Sequence, residues 1–183
     1  MSFKAKISYL DDNIVDQYDI QRFSTVRGMI TDYLEKNLIK KAFKVANISF
    51  GSTVLDIPCG TGRLSLFLNR IGYHVEGGDI SAAMVKKSQK KAALAGINGI
   101  KFSVIDAENI NFPDEYFDAV VSLRLLGHTA PPVRIKILRE LSRVCKGPLI
   151  LSYYEKNCIQ ELLRRKIRQT GCLSGFAHGQ LLF

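Results

Sequence analysis

The stretch TVLDIPCGTGRLSLFLNRIG, from Thr53 to Gly72, constrains the fold more than any other part of this chain. Thr53 to Ile57 is a short apolar, β-branched run, which reads as a buried strand. Pro58 has no backbone N–H to give a sheet, so the strand stops there. Cys59-Gly60-Thr61-Gly62 is a tight loop. Leu64, Phe67, Leu68 and Ile71 then recur at helical spacing, and Gly72 stops the helix. Strand, glycine loop and helix together cradle a nucleotide-like ligand. Glycines let backbone approach it, and the helix start offers unpaired N–H groups.

Asp56 closes the strand four residues before Gly60. A carboxylate there repels a dinucleotide's pyrophosphate and attracts an amine-bearing cation. S-adenosylmethionine carries a sulfonium and an α-amino group and no phosphate. DIPCGTGR resembles motif I of the class I S-adenosylmethionine-dependent methyltransferases, in particular the type 11/type 25 methyltransferase domain group, with Pro58 where the usual form has glycine. GTGRLS is also one residue from G-x-G-x-x-G, with Ser65 in the last glycine's place, so this stretch alone leaves a nicotinamide or flavin dinucleotide open.

Two further acids fall in frame. Tyr73 to Gly78 reads as a second strand ending at Asp79, about twenty residues past the glycine loop, where a carboxylate accepts the ribose hydroxyls of an adenosine. Ile100 to Ile105 reads as a third strand ending in Asp106-Ala107. The acid there can accept the adenine amino group, and the small side chain leaves room for the ring. Asp106 alone has a plainer reading, as a turn or helix-cap aspartate. Acids at the ends of three successive strands match the family's cofactor site. The resemblance implies that Asp56 meets the methionine amino group, Gly60 and Gly62 admit the methionine portion, Asp79 takes the ribose, and Ile80, Asp106 and Ala107 frame the adenine. Ser81 caps the helix Ala82 to Ala95.

Upstream, Ser24 is placed to cap a helix over 25–46. Val26, Met29, Ile30, Tyr33, Leu34, Leu38, Ile39 and Ala42 occupy its adjoining faces. Tyr18, Asp19 and Arg22 match a Y-D-x-x-R segment that closes over the cofactor in similar enzymes, which makes Tyr18 and Arg22 expected cofactor contacts. A hydrophobic anchor built on Tyr18 and Phe23 explains the same residues. Downstream, INFPDEYFD resembles the family's L-P-F-x-D-x-x-F-D segment, and LRELSRVCKG its L-x-E-x-x-R-V-x-K/R-G helix. FDAVVSL reads as a fourth strand, a helix opens at Pro132, and PLILSYY reads as a fifth strand. His128, after the fourth strand, is the one candidate for a general base, its ordinary pKa lying near neutrality. It can equally orient a loop or touch the methionine end of the cofactor. No Asn/Asp-Pro-Pro-aromatic motif of base or amide N-methylation follows that strand.

Charge and cysteines restrict partners. The formal charge is +9 over 183 residues, but Lys and Arg are spread over several helices, which argues against nucleic acid as the partner. No apolar run approaches the ~18 residues of a membrane span, and the first residues contain no long apolar segment. The four cysteines show no metal-ligand spacing, so no metal is expected and the thiols read as those of a reduced, cytoplasmic protein.

The expected architecture is therefore α/β, a doubly wound, mostly parallel sheet. Residues 1–50 form an arm and a helical cap, 51–154 the cofactor-binding core, and 155–183 a further helix and a shortened tail. The family's last antiparallel strand pair has no place in the tail beyond Gln169, which leaves the fifth strand as a bare edge through which chains could self-associate. The expected function is methyl transfer from S-adenosylmethionine to a small-molecule acceptor. A non-catalytic S-adenosylmethionine-binding protein and an NAD(P)-dependent oxidoreductase are the alternatives.

Overall fold

The computed structural model describes residues 24–153 and 180–182. Tyr18, Arg22 and the helix expected over 157–169 lie outside the described residues. The elements run α1 (Val26–Val45), β1 (Thr53–Asp56), α2 (Arg63–Arg70), β2 (His74–Asp79), α3 (Ala82–Leu94), β3 (Lys101–Val104), β4 (Ala119–Ser122), a 3₁₀ turn (Leu126–His128), α4 (Pro131–Val144), β5 (Leu149–Tyr153) and β6 (Gln180–Leu182).

The strands form one sheet in the order β3-β2-β1-β4-β5-β6, parallel from β3 to β5 and antiparallel at β6. Of the two strands the sequence left unplaced, the described residues include one. Leu151, Ser152 and Tyr153 pair with Leu182, Leu181 and Gln180. β5 is thus not a bare edge, which corrects that expectation; among the described residues the outer strands are β3 and β6.

Alternation along the central strands covers both faces of the sheet. Val54, Ala119 and Val121 pack with Ile39, Ala42 and Phe43 of α1 and Leu64 and Leu68 of α2. Leu55 and Val120 point the other way, into Ile137, Leu141 and Val144 of α4. α3 closes the β3 side through Val85 and Ala92 against Phe102 and Cys59. At the N-terminal edge, Asp118 ties β4 to the start of β1: one carboxylate oxygen accepts from Thr53 N at 2.7 Å and Thr53 Oγ1 at 2.8 Å.

α1 departs from its expected cap. Thr25, not Ser24, accepts from Gly28 N at 3.1 Å. Only Ile39, Ala42 and Phe43 of its large apolar residues reach the core, whereas Val26, Met29, Ile30, Tyr33 and Leu34 are exposed. The inward positions of its first turns hold Asp32 and Glu35, which bind arginines of the core.

Candidate functional site

The chain turns outward from β1 in two directions, to β2 and β3 on one side and to β4 and β5 on the other. Parallel sheets bind ligands where this reversal opens a crevice at the strands' carboxyl ends. Register puts all three predicted acids there. Asp56 pairs with Gly77, so Asp79 stands two residues further out on β2. Asp79 pairs with Val104, so Asp106 stands two residues beyond that. The three carboxylates therefore climb the sheet edge in steps from β1 to β3.

Their surroundings differ. Asp56 is buried beneath the loop, and its Oδ2 accepts from Ser65 Oγ at 2.6 Å. Burial pushes its carboxyl up to about 7. The Ser65 bond and the Arg63 charge pull it back, and the field of Asp79 adds to the rise. Asp79 is also buried. Its Oδ2 accepts from Gly60 N at 2.9 Å and its Oδ1 from Ser81 N at 2.9 Å. Burial raises this carboxyl too, against the pull of those N–H groups. Asp79 thus fixes the glycine loop to the start of α3. Asp106 is half-buried and accepts from Glu108 N at 2.9 Å, which turns the chain so that Ala107 packs inward. Ile80 is half-buried beside them.

The two loop glycines do different work. Gly60 has φ +54, and a Cβ built on it would meet nothing within 4 Å. The space beside its Cα is open. Gly62 has φ +77, but a Cβ there would lie 2.8 Å from Ser88 Cβ and 3.1 Å from Phe102 Cζ. Its missing side chain lets α2 start against α3 and β3. Packing neighbours therefore occupy the space that a side chain at Gly62 would need. Cys59 is buried, and desolvation pushes its thiol well up, which disfavours the thiolate.

The β4 side holds residues that the sequence did not single out. Arg124, at the end of β4, has φ +61, the left-handed region unusual for a side-chain-bearing residue. Its N donates to Ser152 Oγ at 2.6 Å, and its Nε donates to Glu35 Oε1 at 3.1 Å, with Nη2 on the same oxygen. Arg63, first residue of α2, donates from Nη2 to Glu35 Oε2 at 2.7 Å and from Nη1 to Asp32. Glu35 thereby joins α2, the helix after the glycine loop, to the loop after β4. His128 is exposed on the 3₁₀ turn. Arg134 fastens that turn through the carbonyls of Leu126 at 3.1 Å and Thr129 at 2.8 Å, and lies over the Tyr153 ring. On β4 itself, Ser122 Oγ is fully buried with no hydrogen-bond partner among the described residues.

A doubly wound sheet with a glycine loop after β1 and carboxylates at the ends of β1, β2 and β3 defines an adenosine-type cofactor domain. Residues 54–147, a little over half of the chain, match the family model of the methyltransferase domain, and the chain belongs to that family. Among its relatives, the magnesium protoporphyrin IX methyltransferase of Arabidopsis thaliana is 36% identical over 117 residues, which are 63% of this chain and 36% of that protein. The demethylmenaquinone methyltransferase of Clavibacter sepedonicus is 33% identical over 142 residues, 78% of this chain and 54% of that one. A solved SAM-dependent methyltransferase from Methanosarcina mazei is 30% identical with a TM-score of 0.60, covering 67% of this chain and 61% of its own. The chain spans roughly half or less of the length of these curated relatives.

Proposed function

We propose that this chain binds S-adenosylmethionine at the carboxyl edge of β1, β2 and β3 and transfers its methyl group to a small-molecule acceptor. The observation that carries the reading is the stepped row Asp56, Asp79 and Asp106 around a loop whose backbone is open at Gly60 and closed at Gly62. Those residues fit the cofactor's parts. A carboxylate row suits an adenosine with an amine and a sulfonium, and opposes a pyrophosphate. S-adenosylmethionine supplies, when bound, a methyl group activated by its positive sulfur. The chain's own task is to orient and to exclude water. Asp79 presents its remaining lone pairs to the ribose while holding the loop. Asp106 and Ala107 border the adenine, with Ile80 on its face. Asp56 acts on the methionine amino group from beneath the loop, through its charge or a bridging water. The loop Leu123 to His128 forms the acceptor side, with His128 exposed where it could take a proton from an acceptor. The small-molecule reading is supported by relatives named for porphyrin and quinone substrates.

Calorimetric titration with S-adenosylmethionine, S-adenosylhomocysteine and NAD tests this. Micromolar binding of the first two, none of NAD, and at least about a tenfold loss in Asp79→Asn, which keeps one acceptor oxygen for the loop, are the expected results. A folded chain that binds NAD, or neither adenosyl ligand, overturns the proposal. Binding of the ligands with no methyl transfer to any porphyrin, quinone or amine acceptor favours the non-catalytic alternative.

A further inference from the structure

The outer face of α1 carries a pattern that packs against nothing among the described residues. On the side away from the sheet, its first turns present Val26, Met29, Ile30, Tyr33 and Leu34, between 53% and 75% exposed. The same face continues toward the C-terminus into the exposed Lys41 and Lys44. The acids of this helix are Asp32 and Glu35, and both face inward, held by Arg63, Arg124 and Lys36. The helix is therefore sorted by charge. Its carboxylates are inside, and its outside is apolar at one end and cationic at the other. A core helix needs no apolar outer face, and a purely solvated one would not keep five large apolar side chains in its first three turns.

We propose that the outer face of α1 docks on an anionic lipid surface. A helix with exposed Ile, Leu, Met and Tyr beside lysines lies in the headgroup plane, with apolar side chains inserted and ammonium groups among the lipid anions. Tyr33 suits that boundary, having an apolar ring and a polar tip. The chain's formal charge of +9 adds long-range attraction to the same partner. Asp32 and Glu35 bind Arg63 beside the glycine loop and Arg124 beyond β4. Docking through α1 consequently sets the carboxyl edge of the sheet next to the bilayer, where a lipophilic molecule is met. The inference stands without the proposed cofactor, because lipid binding needs only this helix.

The experiment is co-sedimentation of the full chain with vesicles of phosphatidylcholine alone and of phosphatidylcholine with 30% phosphatidylglycerol, at low and high salt. Binding to the anionic vesicles, weakened by salt and at least about tenfold weaker on neutral ones, is expected. Ile30→Gln with Leu34→Gln should reduce the partition coefficient about tenfold or more. Lys41→Gln and Lys44→Gln should each reduce it about fivefold. All four positions are exposed, so the thermal unfolding midpoints should match that of the parent chain. Absence of vesicle binding overturns the proposal. So does binding that survives Ile30→Gln with Leu34→Gln in a folded chain, which would show attraction by charge alone. A dimer in sedimentation velocity that these two substitutions dissociate, with no lipid binding, would assign the face to a second copy instead.

Discussion

Replacing Asp56 by asparagine separates the cost of a buried charge from its use. Asp56 is 2% exposed, and its carboxyl is raised from 3.8 to about 7. That rise of about three units, at about 1.4 kcal/mol each, puts a penalty of about 4 kcal/mol on the ionised form in the folded chain above neutrality. Between 3.8 and about 7 the folded chain keeps a proton that the unfolded chain has lost. Stability contributed at this site therefore falls as pH rises through that window, and is flat below and above it. Asparagine keeps an oxygen for Ser65 Oγ but adds a buried N–H pair, at a cost of about 1–3 kcal/mol. Asp56→Asn should accordingly be no more stable than the parent near pH 4 and about 1–3 kcal/mol more stable at pH 8. Urea unfolding at half-unit intervals from pH 4 to 8.5 measures the difference directly. The ionised form is the one that attracts a cationic ligand. Affinity for S-adenosylmethionine in the parent chain should therefore rise with pH up to about 7 and level off, and in the variant be weak and flat. A stability difference that does not change with pH, or a variant less stable at pH 8, would refute the account of Asp56 as a desolvated charge kept for a ligand.

Gly62→Ala should cost about 2–4 kcal/mol of stability, since it adds left-handed strain at φ +77 to a 2.8 Å contact with Ser88 Cβ. Gly60→Ala, with open space around it, should cost about 1 kcal/mol yet lower cofactor affinity more; thermal unfolding and titration of the pair would show the inversion. Ser122→Ala removes a buried hydroxyl that has no partner among the described residues, and should stabilise the ligand-free chain by about 1 kcal/mol, read from the urea midpoint. The Lys146 ammonium and the Thr53 donors hold the carboxyl of Asp118 down at about 2. Its stabilisation is present above 3.8 and is lost as pH falls through about 2, so Asp118→Asn should cost about 1–2 kcal/mol at pH 7 and progressively less under acid.

What could be read from the sequence follows from how local each cause is. The strands and the three acids were legible because a strand's hydrophobic run and the residue that ends it lie within a few positions of one another. β1, β3, β4 and β5 fall inside the expected runs, and β2 ends at Asp79 as expected, so the carboxylate row follows once strand order and register are added. The roles of Gly60 and Gly62 were not legible, because two glycines two residues apart look alike until Ser88 and Phe102 arrive beside one of them. β6 is three residues long and pairs across a large gap from β5, so no local pattern announces it. Arg124 carries no sign in sequence of its left-handed backbone.

The facing of α1 is set by charge where periodicity leaves it open. Its apolar residues occupy adjoining faces, so hydrophobicity alone does not choose which of them turns inward. The arginines decide. Arg63 and Arg124 stand 28 and 89 residues from Glu35 in sequence, yet both bind it. Turning α1 to bury its apolar first turns would leave those two guanidiniums without their carboxylates at the edge of the site, a loss of several charge-assisted bonds worth about 1.5–3 kcal/mol each. Ile39, Ala42 and Phe43 still reach the core from the helix's second half, so the helix docks there by packing and at its first turns by charge. That division holds the cap over the glycine loop and the end of β4, and it leaves the apolar outer face of α1 to whatever meets it.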